Sequence, residues 1–99
     1  MVRNGLLLRL EAKSGQESKV AEFLSAALPH ILAEHGTTAW FSFQIGPSTF
    51  GIFDVFPDDE GRQAHMTGEV AAQLRANWSE WLASPPSVEK IDVIASKLP

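Results

Sequence analysis

The amino-acid sequence predicts an α+β fold of order βαββαβ, the ferredoxin-like arrangement of a four-stranded antiparallel sheet with its helices on one face. Three observations predict it. A short period-2 segment at residues 6–12 is followed by a long 3.6-period stripe that reaches Leu32. Two alternating, aromatic-rich segments, residues 38–45 and 49–56, flank the turn Gly46-Pro47-Ser48. A second helical stripe over residues 70–82 and a closing β-branched segment within residues 88–98 complete the order.

Composition bounds the function classes. The chain has 99 residues, which is material for one domain (residues 1–99) and a modest core. At 44% hydrophobic and 20% charged it has the make-up of an ordinary globular protein. Eight Lys and Arg against twelve Asp and Glu give a net charge of −4, which offers no general attraction for phosphate backbones, so nucleic acid is not an expected partner. Zero cysteines exclude a disulfide framework, a thiolate metal site and a cysteine nucleophile. The opening residues Met1-Val2-Arg3-Asn4-Gly5 lead into too short an apolar run for a signal peptide or a membrane span. The protein is therefore expected to be cytoplasmic, with no membrane partner, and the sequon Asn77-Trp78-Ser79 to be without consequence.

Each element has its own justification. In the first strand Leu6, Leu8 and Leu10 share a face, with Arg9 and Glu11 opposite. Ser14-Gly15-Gln16-Glu17 has capping-box spacing and predicts a helix start. Val20, Phe23, Leu24, Ala27, Leu28, Ile31 and Leu32 form one stripe, which continues past Pro29 and predicts a kink there rather than a stop. Gly36 is the expected left-handed helix end, with His35 beside it favouring the dipole. In the hairpin, Phe41, Phe43 and Ile45 alternate with Trp40, Ser42 and Gln44, and Phe50, Ile52, Asp54 and Phe56 alternate with Gly51, Phe53 and Val55. Both faces are apolar, yet helices cover only one, so a twofold homodimer with sheets packed face to face is expected. Pro57-Asp58-Asp59-Glu60 places carboxylates at the start of a short helix through about Met66. Val70, Leu74, Trp78, Trp81 and Leu82 make the last helical stripe, stopped by Pro85-Pro86. Ile91, Val93 and Ala95 share one side of the last strand.

Most catalytic constellations are missing. His30 and His35 point about 140° apart on a helix, and no paired-histidine spacing exists, so a protein-built metal site is not expected. No serine lies in a Gly-x-Ser-x-Gly elbow, and the glycines are spaced wrongly for a phosphate loop. What remains is the short helix, where Arg62 and His65 are neighbours three residues apart. His65 can act as a general base near neutral pH or simply bond a backbone carbonyl. Asp54, set among apolar neighbours, needs a partner, and Arg62 is the expected one. Trp40 shares its face with Ser42 and Gln44, a mixed lining suited to an apolar ligand with a few polar groups, although packing in the dimer interface accounts for it too.

These residues carry a resemblance. Glu34-His35-Gly36-Thr37 leads to Trp40-Phe41, followed by Thr49-Phe50-Gly51-Ile52-Phe53-Asp54-Val55-Phe56-Pro57-Asp58 and Gly61-Arg62-Gln63-Ala64-His65-Met66. The chain closes on Pro86-Ser87-Val88-Glu89-Lys90-Ile91-Asp92-Val93-Ile94-Ala95-Ser96-Lys97-Leu98. Over nearly its whole length it resembles the antibiotic biosynthesis monooxygenase domain of the dimeric α/β-barrel superfamily. The resemblance implies a homodimer that oxygenates small phenolic, quinol or polyketide-like substrates with dioxygen, using no cofactor, metal or flavin. On this chain it implies His65 as the catalytic base, Trp40 and Phe53 as pocket walls, and Arg62 or Gln44 as the hydrogen-bond donor to the substrate. The chain departs from the polyketide-oxidising members in having no tyrosine, and from haem-degrading relatives in having no histidine in residues 70–82. Two other functions suit the same scaffold: a non-catalytic small-molecule binding or accessory dimer, and a small-lactone isomerase.

Overall fold

A computed structural model describes residues 1–99. Its elements are β1 (Asn4–Glu11), α1 (Glu17–Leu32), β2 (Ala39–Gln44), β3 (Thr49–Phe56), α2 (Asp59–Met66), α3 (Glu69–Trp81) and β4 (Ser87–Asp92). The four strands form one antiparallel sheet of order β2-β3-β1-β4, which is the ferredoxin-like topology the pattern predicts. The crossover of α1 puts β2 at one edge, and the path through α2 and α3 returns β4 to the other. No helix is long and apolar enough to cross a membrane.

Strand alternation decides what each face carries. Leu6 pairs with Asp54, Leu8 with Ile52 and Leu10 with Phe50, and these side chains face the helices. Leu10, Ala12, Val20, Leu24, Phe50, Ile52, Leu74 and Leu82 form the main core between the sheet, α1 and α3. Ala27, Ile31 and Val70 extend it. Within α1 the buried residues are Val20, Leu24, Ala27 and Ile31. Leu28 and Leu32, expected in the same stripe, are exposed, because each sits about 100° further round the helix from Ala27 and Ile31.

Several boundaries differ from the sequence expectation. Helix α1 runs through Pro29 as expected, but Ser14 does not cap it; the Glu17 side chain instead accepts from the Gly15 amide. Gly15, at φ +89°, is the residue in the left-handed region, and Gly36 is not. The helix has already ended at Leu32, so Gly36 serves another contact and His35 lies in an exposed loop. Strand β4 stops at Asp92, opposite Asn4 where β1 begins; one further bond follows, from the Val93 amide to the Arg3 carbonyl at 2.9 Å, before the pairing ends. Helix α2 does start on its carboxylates: Asp58 is the N-cap and its Oδ1 accepts from the Gly61 amide at 2.9 Å. The hairpin tip is tied to β1 by Glu11, whose carboxylate accepts from Ser48 Oγ at 2.5 Å and Thr49 Oγ1 at 2.6 Å. Those two hydroxyls, Ser48 first, hold its pKa below the usual carboxylate value.

The face away from the helices is apolar and uncovered. Leu7, Phe41 and Phe43 are exposed on it, beside the half-buried Phe53, which pairs with both Leu7 and Phe41.

Candidate functional site

The chemistry-bearing residues gather where α2 meets the sheet. Gly36 and Gly61 bring the loop after α1 against α2 with almost no space between backbones; a Cβ on Gly61 would lie 2.7 Å from the Gly36 carbonyl oxygen. This approach sets Glu34 beside His65. Asp54 comes from the other side, on the helix-facing surface of β3, opposite Trp40 in the β2–β3 ladder.

The result is a trio in which His65 and Asp54 are buried and Glu34 is half-buried. His65 Nδ1 lies 2.6 Å from Glu34 Oε1, and His65 Nε2 lies 3.1 Å from Asp54 Oδ2. The Glu34 contact is an aligned hydrogen bond. The Asp54 contact is off axis, and neither Asp54 oxygen has a hydrogen-bond donor although the residue is 0% exposed. Thr37 Oγ1 donates to the same Glu34 oxygen at 2.6 Å. Burial by itself would lower the His65 pKa, but the contacts with Asp54 and Glu34 outweigh it and hold the ring above its ordinary value of 6.5. When protonated, the ring donates from Nδ1 to Glu34 and turns its Nε2 proton toward Asp54 off axis. The carboxylates sit at opposite nitrogens instead of converging, and no cluster of His, Asp and Glu is placed to hold a metal ion.

His65 also forms part of the wall of an apolar cavity of about 160 Å³ between the sheet, α2 and α3. Leu6, Leu8, Trp40, Ile52, Val70 and Leu74 supply most of the apolar surface. Trp78, expected simply as core, faces the cavity too, and Arg75 stands in its wall as the one other charged group. Arg75 is exposed and donates from Nη1 to the Met66 carbonyl at 3.1 Å. Trp40 Nε1 is buried without a hydrogen-bond partner.

Three of the residues implied for this site lie elsewhere. Phe53 is on the uncovered sheet face, because it alternates with Ile52 and Asp54, so it cannot share a pocket with Trp40. Gln44 is at the exposed end of β2, its Nε2 3.4 Å from the Pro47 carbonyl. Arg62 does not pair with Asp54. Its Nη2 contacts Asp59 Oδ1 at 2.8 Å, and its Nη1 reaches the carbonyls of Gly5 at 3.3 Å and Ile91 at 3.4 Å. One turn of helix keeps Arg62 within reach of Asp59, and its guanidinium ties α2 to the β1–β4 end of the sheet. His65, the next neighbour on that face, is the residue that meets Asp54. Glu34 and Arg75 carry no sequence pattern that marks them as site residues. Glu34 stands beside the Gly36 that brings it to α2, but that approach depends on Gly61, 25 positions away, so local pattern carries no sign of it.

Comparison with known proteins bears on the fold. No protein-family model matches the sequence, and no curated protein does. Among solved structures, one from Mycobacterium tuberculosis, Rv0793, superposes with a TM-score of 0.86 at 16% identity, covering 95% of this chain and 97% of that one. A structure described as an antibiotic biosynthesis monooxygenase gives 0.81 at 15% identity, over 93% of this chain and 99% of that one. The fold is thus that of the antibiotic biosynthesis monooxygenase-like proteins. A protein of unknown function from Nitrosomonas europaea is far nearer, with a TM-score of 0.97 and 56% identity over 100% of this chain and 96% of that one. The chain belongs to the family of that Nitrosomonas europaea protein.

Proposed function

We propose that the protein is a cofactor-independent monooxygenase of small phenols or quinols, with His65 as the proton-transfer residue. The observation that carries the reading is the position of His65, held by carboxylates at both nitrogens in the wall of a largely apolar cavity. An apolar cavity of about 150 Å³ accommodates benzene, so this one suits a single aromatic ring better than a polycyclic polyketide. Trp40 and Trp78 stack on the ring, and Arg75 attracts its ionised oxygen.

The chemistry then needs only the substrate's electrons. Loss of the hydroxyl proton to His65 Nε2 gives a phenolate, which reduces dioxygen and bonds to it at a ring carbon that carries hydrogen, para to the oxygen in a phenol and ortho to it in a quinol. Breaking the O–O bond leaves one oxygen atom as a quinone carbonyl and releases the other as water. The substrate gives up four electrons and two hydrogens, so no further reductant is required. Nε2 must be free of its proton for the first step, so the rate should rise with pH through the raised titration of His65.

The second reading, a binding protein without turnover, draws support from the same trio, whose carboxylates occupy both ring nitrogens. The two separate in one experiment. Purified, metal-stripped protein is given dioxygen labelled with oxygen-18 and a panel of single-ring phenols and quinols, beside a His65→Ala variant. Uptake above autoxidation, one labelled atom in the quinone and loss of both in the variant support the oxygenase. Ligand-dependent tryptophan quenching with no uptake at any pH from 6 to 9 would leave binding as the function.

We also propose the homodimer as the working form. Its support is the apolar face of Leu7, Phe41 and Phe43, which the helices leave open.

A further inference from the structure

His65 meets two carboxylates, and they are not equivalent. Glu34 accepts from Nδ1 at 2.6 Å in an aligned hydrogen bond, keeps a second donor in Thr37, and retains 20% side-chain exposure, so its charge is solvated. Asp54 faces Nε2 at 3.1 Å off axis, has no other donor and is wholly buried. When the imidazolium gives up one proton, the nitrogen with the longer, off-axis contact loses it, because the short aligned bond holds its proton more firmly. That nitrogen is Nε2, and the buried Asp54 carboxylate is its neighbour.

We infer that Glu34 is the positioning residue of this site: it locks Nδ1–H and so makes Nε2 the nitrogen that exchanges protons. The inference rests on reading His65 as the proton-transfer group and names what orients it. The logic is that of a carboxylate fixing the tautomer of a catalytic histidine, with the difference that a second carboxylate stands at the working nitrogen. The other charged groups nearby do not compete for the ring. Arg62, one turn earlier on α2, is engaged by Asp59 and two backbone carbonyls, and Arg75 on α3 donates to the Met66 carbonyl. Strands β1 and β2 present Leu6 and Trp40 on this side. The close approach of Gly36 and Gly61 acquires a purpose on this view, since it is what delivers Glu34 to Nδ1.

The test is a nitrogen-15 and proton NMR titration of His65 in the full chain, beside a Glu34→Gln variant checked for fold by circular dichroism. The ring of the unaltered protein should keep its proton on Nδ1 once neutral, against the ordinary preference of imidazole for Nε2–H. In the variant the titration midpoint should fall by about one pH unit or more, the usual effect of removing an opposite charge at contact distance. A neutral ring protonated on Nε2 overturns the inference, as does an unmoved midpoint in a folded variant. The tautomer is read on the unaltered protein, so a variant that fails to fold does not spoil the test. No substrate is needed either. A protein that oxidises no phenol yet shows Nδ1–H overturns the oxygenase reading and supports the role of Glu34.

Discussion

The carbonyl oxygen of Gly36 stands 2.7 Å from the place a side chain on Gly61 would begin, and Gly61 Cα is 3.0 Å from the matching place on Gly36. Two backbones meet there with no room for a methyl group on either. Gly61→Ala must push the loop off α2, and the overpacking should cost about 1–3 kcal/mol in urea unfolding. The same displacement loosens Glu34 from Nδ1, so the His65 titration should move down as well. Gly46→Ala is the control, since nothing lies within 4 Å of the added Cβ and its φ is not in the left-handed region. A Gly61→Ala protein as stable as the parent would show that the loop is free to shift.

The charge on His65 makes stability depend on pH in a defined direction. Its pKa in the folded chain lies above the unfolded value of 6.5, because Asp54 and Glu34 outweigh burial. The folded state therefore binds the proton more tightly. The stabilisation is fully present below about pH 6.5 and is lost as pH rises through the folded value. Urea midpoints measured from pH 6 to pH 9 should fall for the parent relative to a His65→Gln variant, in which this contribution is absent. Parallel curves for the two proteins would mean that the trio holds no extra proton.

The uncovered sheet face gives a separate expectation. Phe41 and Phe43 are exposed beside Leu7, and the Phe43 ring lies over Gly51, where no side chain competes for the space. Light scattering at micromolar concentration should report twice the chain mass. Phe41→Asp should give a monomer with unchanged circular dichroism, because a carboxylate buried in a dry sheet-to-sheet contact has no partner. A parent protein that is monomeric at that concentration removes the dimer.

The fold was readable because strand alternation and the helical stripes are local signals that agree with one another. The lone Asp54 among Phe50, Ile52 and Phe56 correctly marked a buried carboxylate in need of a partner. Choosing that partner was a tertiary question. Arg62 and His65 share a helix face, and the sequence alone does not say which of them reaches the sheet. The structure sends Arg62 to Asp59 and the backbone, and His65 to Asp54. Phe53 differs for another reason: period-2 alternation puts it on the sheet face opposite to that of Asp54, whereas the family resemblance implies a place in the pocket wall. Gly36 shows the same tension, since a glycine after a helix suggests a left-handed cap and here serves a close contact instead.

The cavity itself can be closed without touching the trio. Ala71 is half-buried on α3 and lines the void with Trp40 and Trp78. A phenyl ring placed there fills space now available to a ligand, and removes little from the existing core because Ala71 contributes only a methyl group. Ala71→Phe should therefore keep the parent's thermal midpoint to within a few degrees while abolishing tryptophan quenching by phenols, and with it any oxygen uptake. Gln44→Ala, on the exposed end of β2 and outside the cavity, should leave both signals unchanged. Quenching that survives in a folded Ala71→Phe protein would place the ligand elsewhere, and the apolar face of the sheet would be the next surface to test.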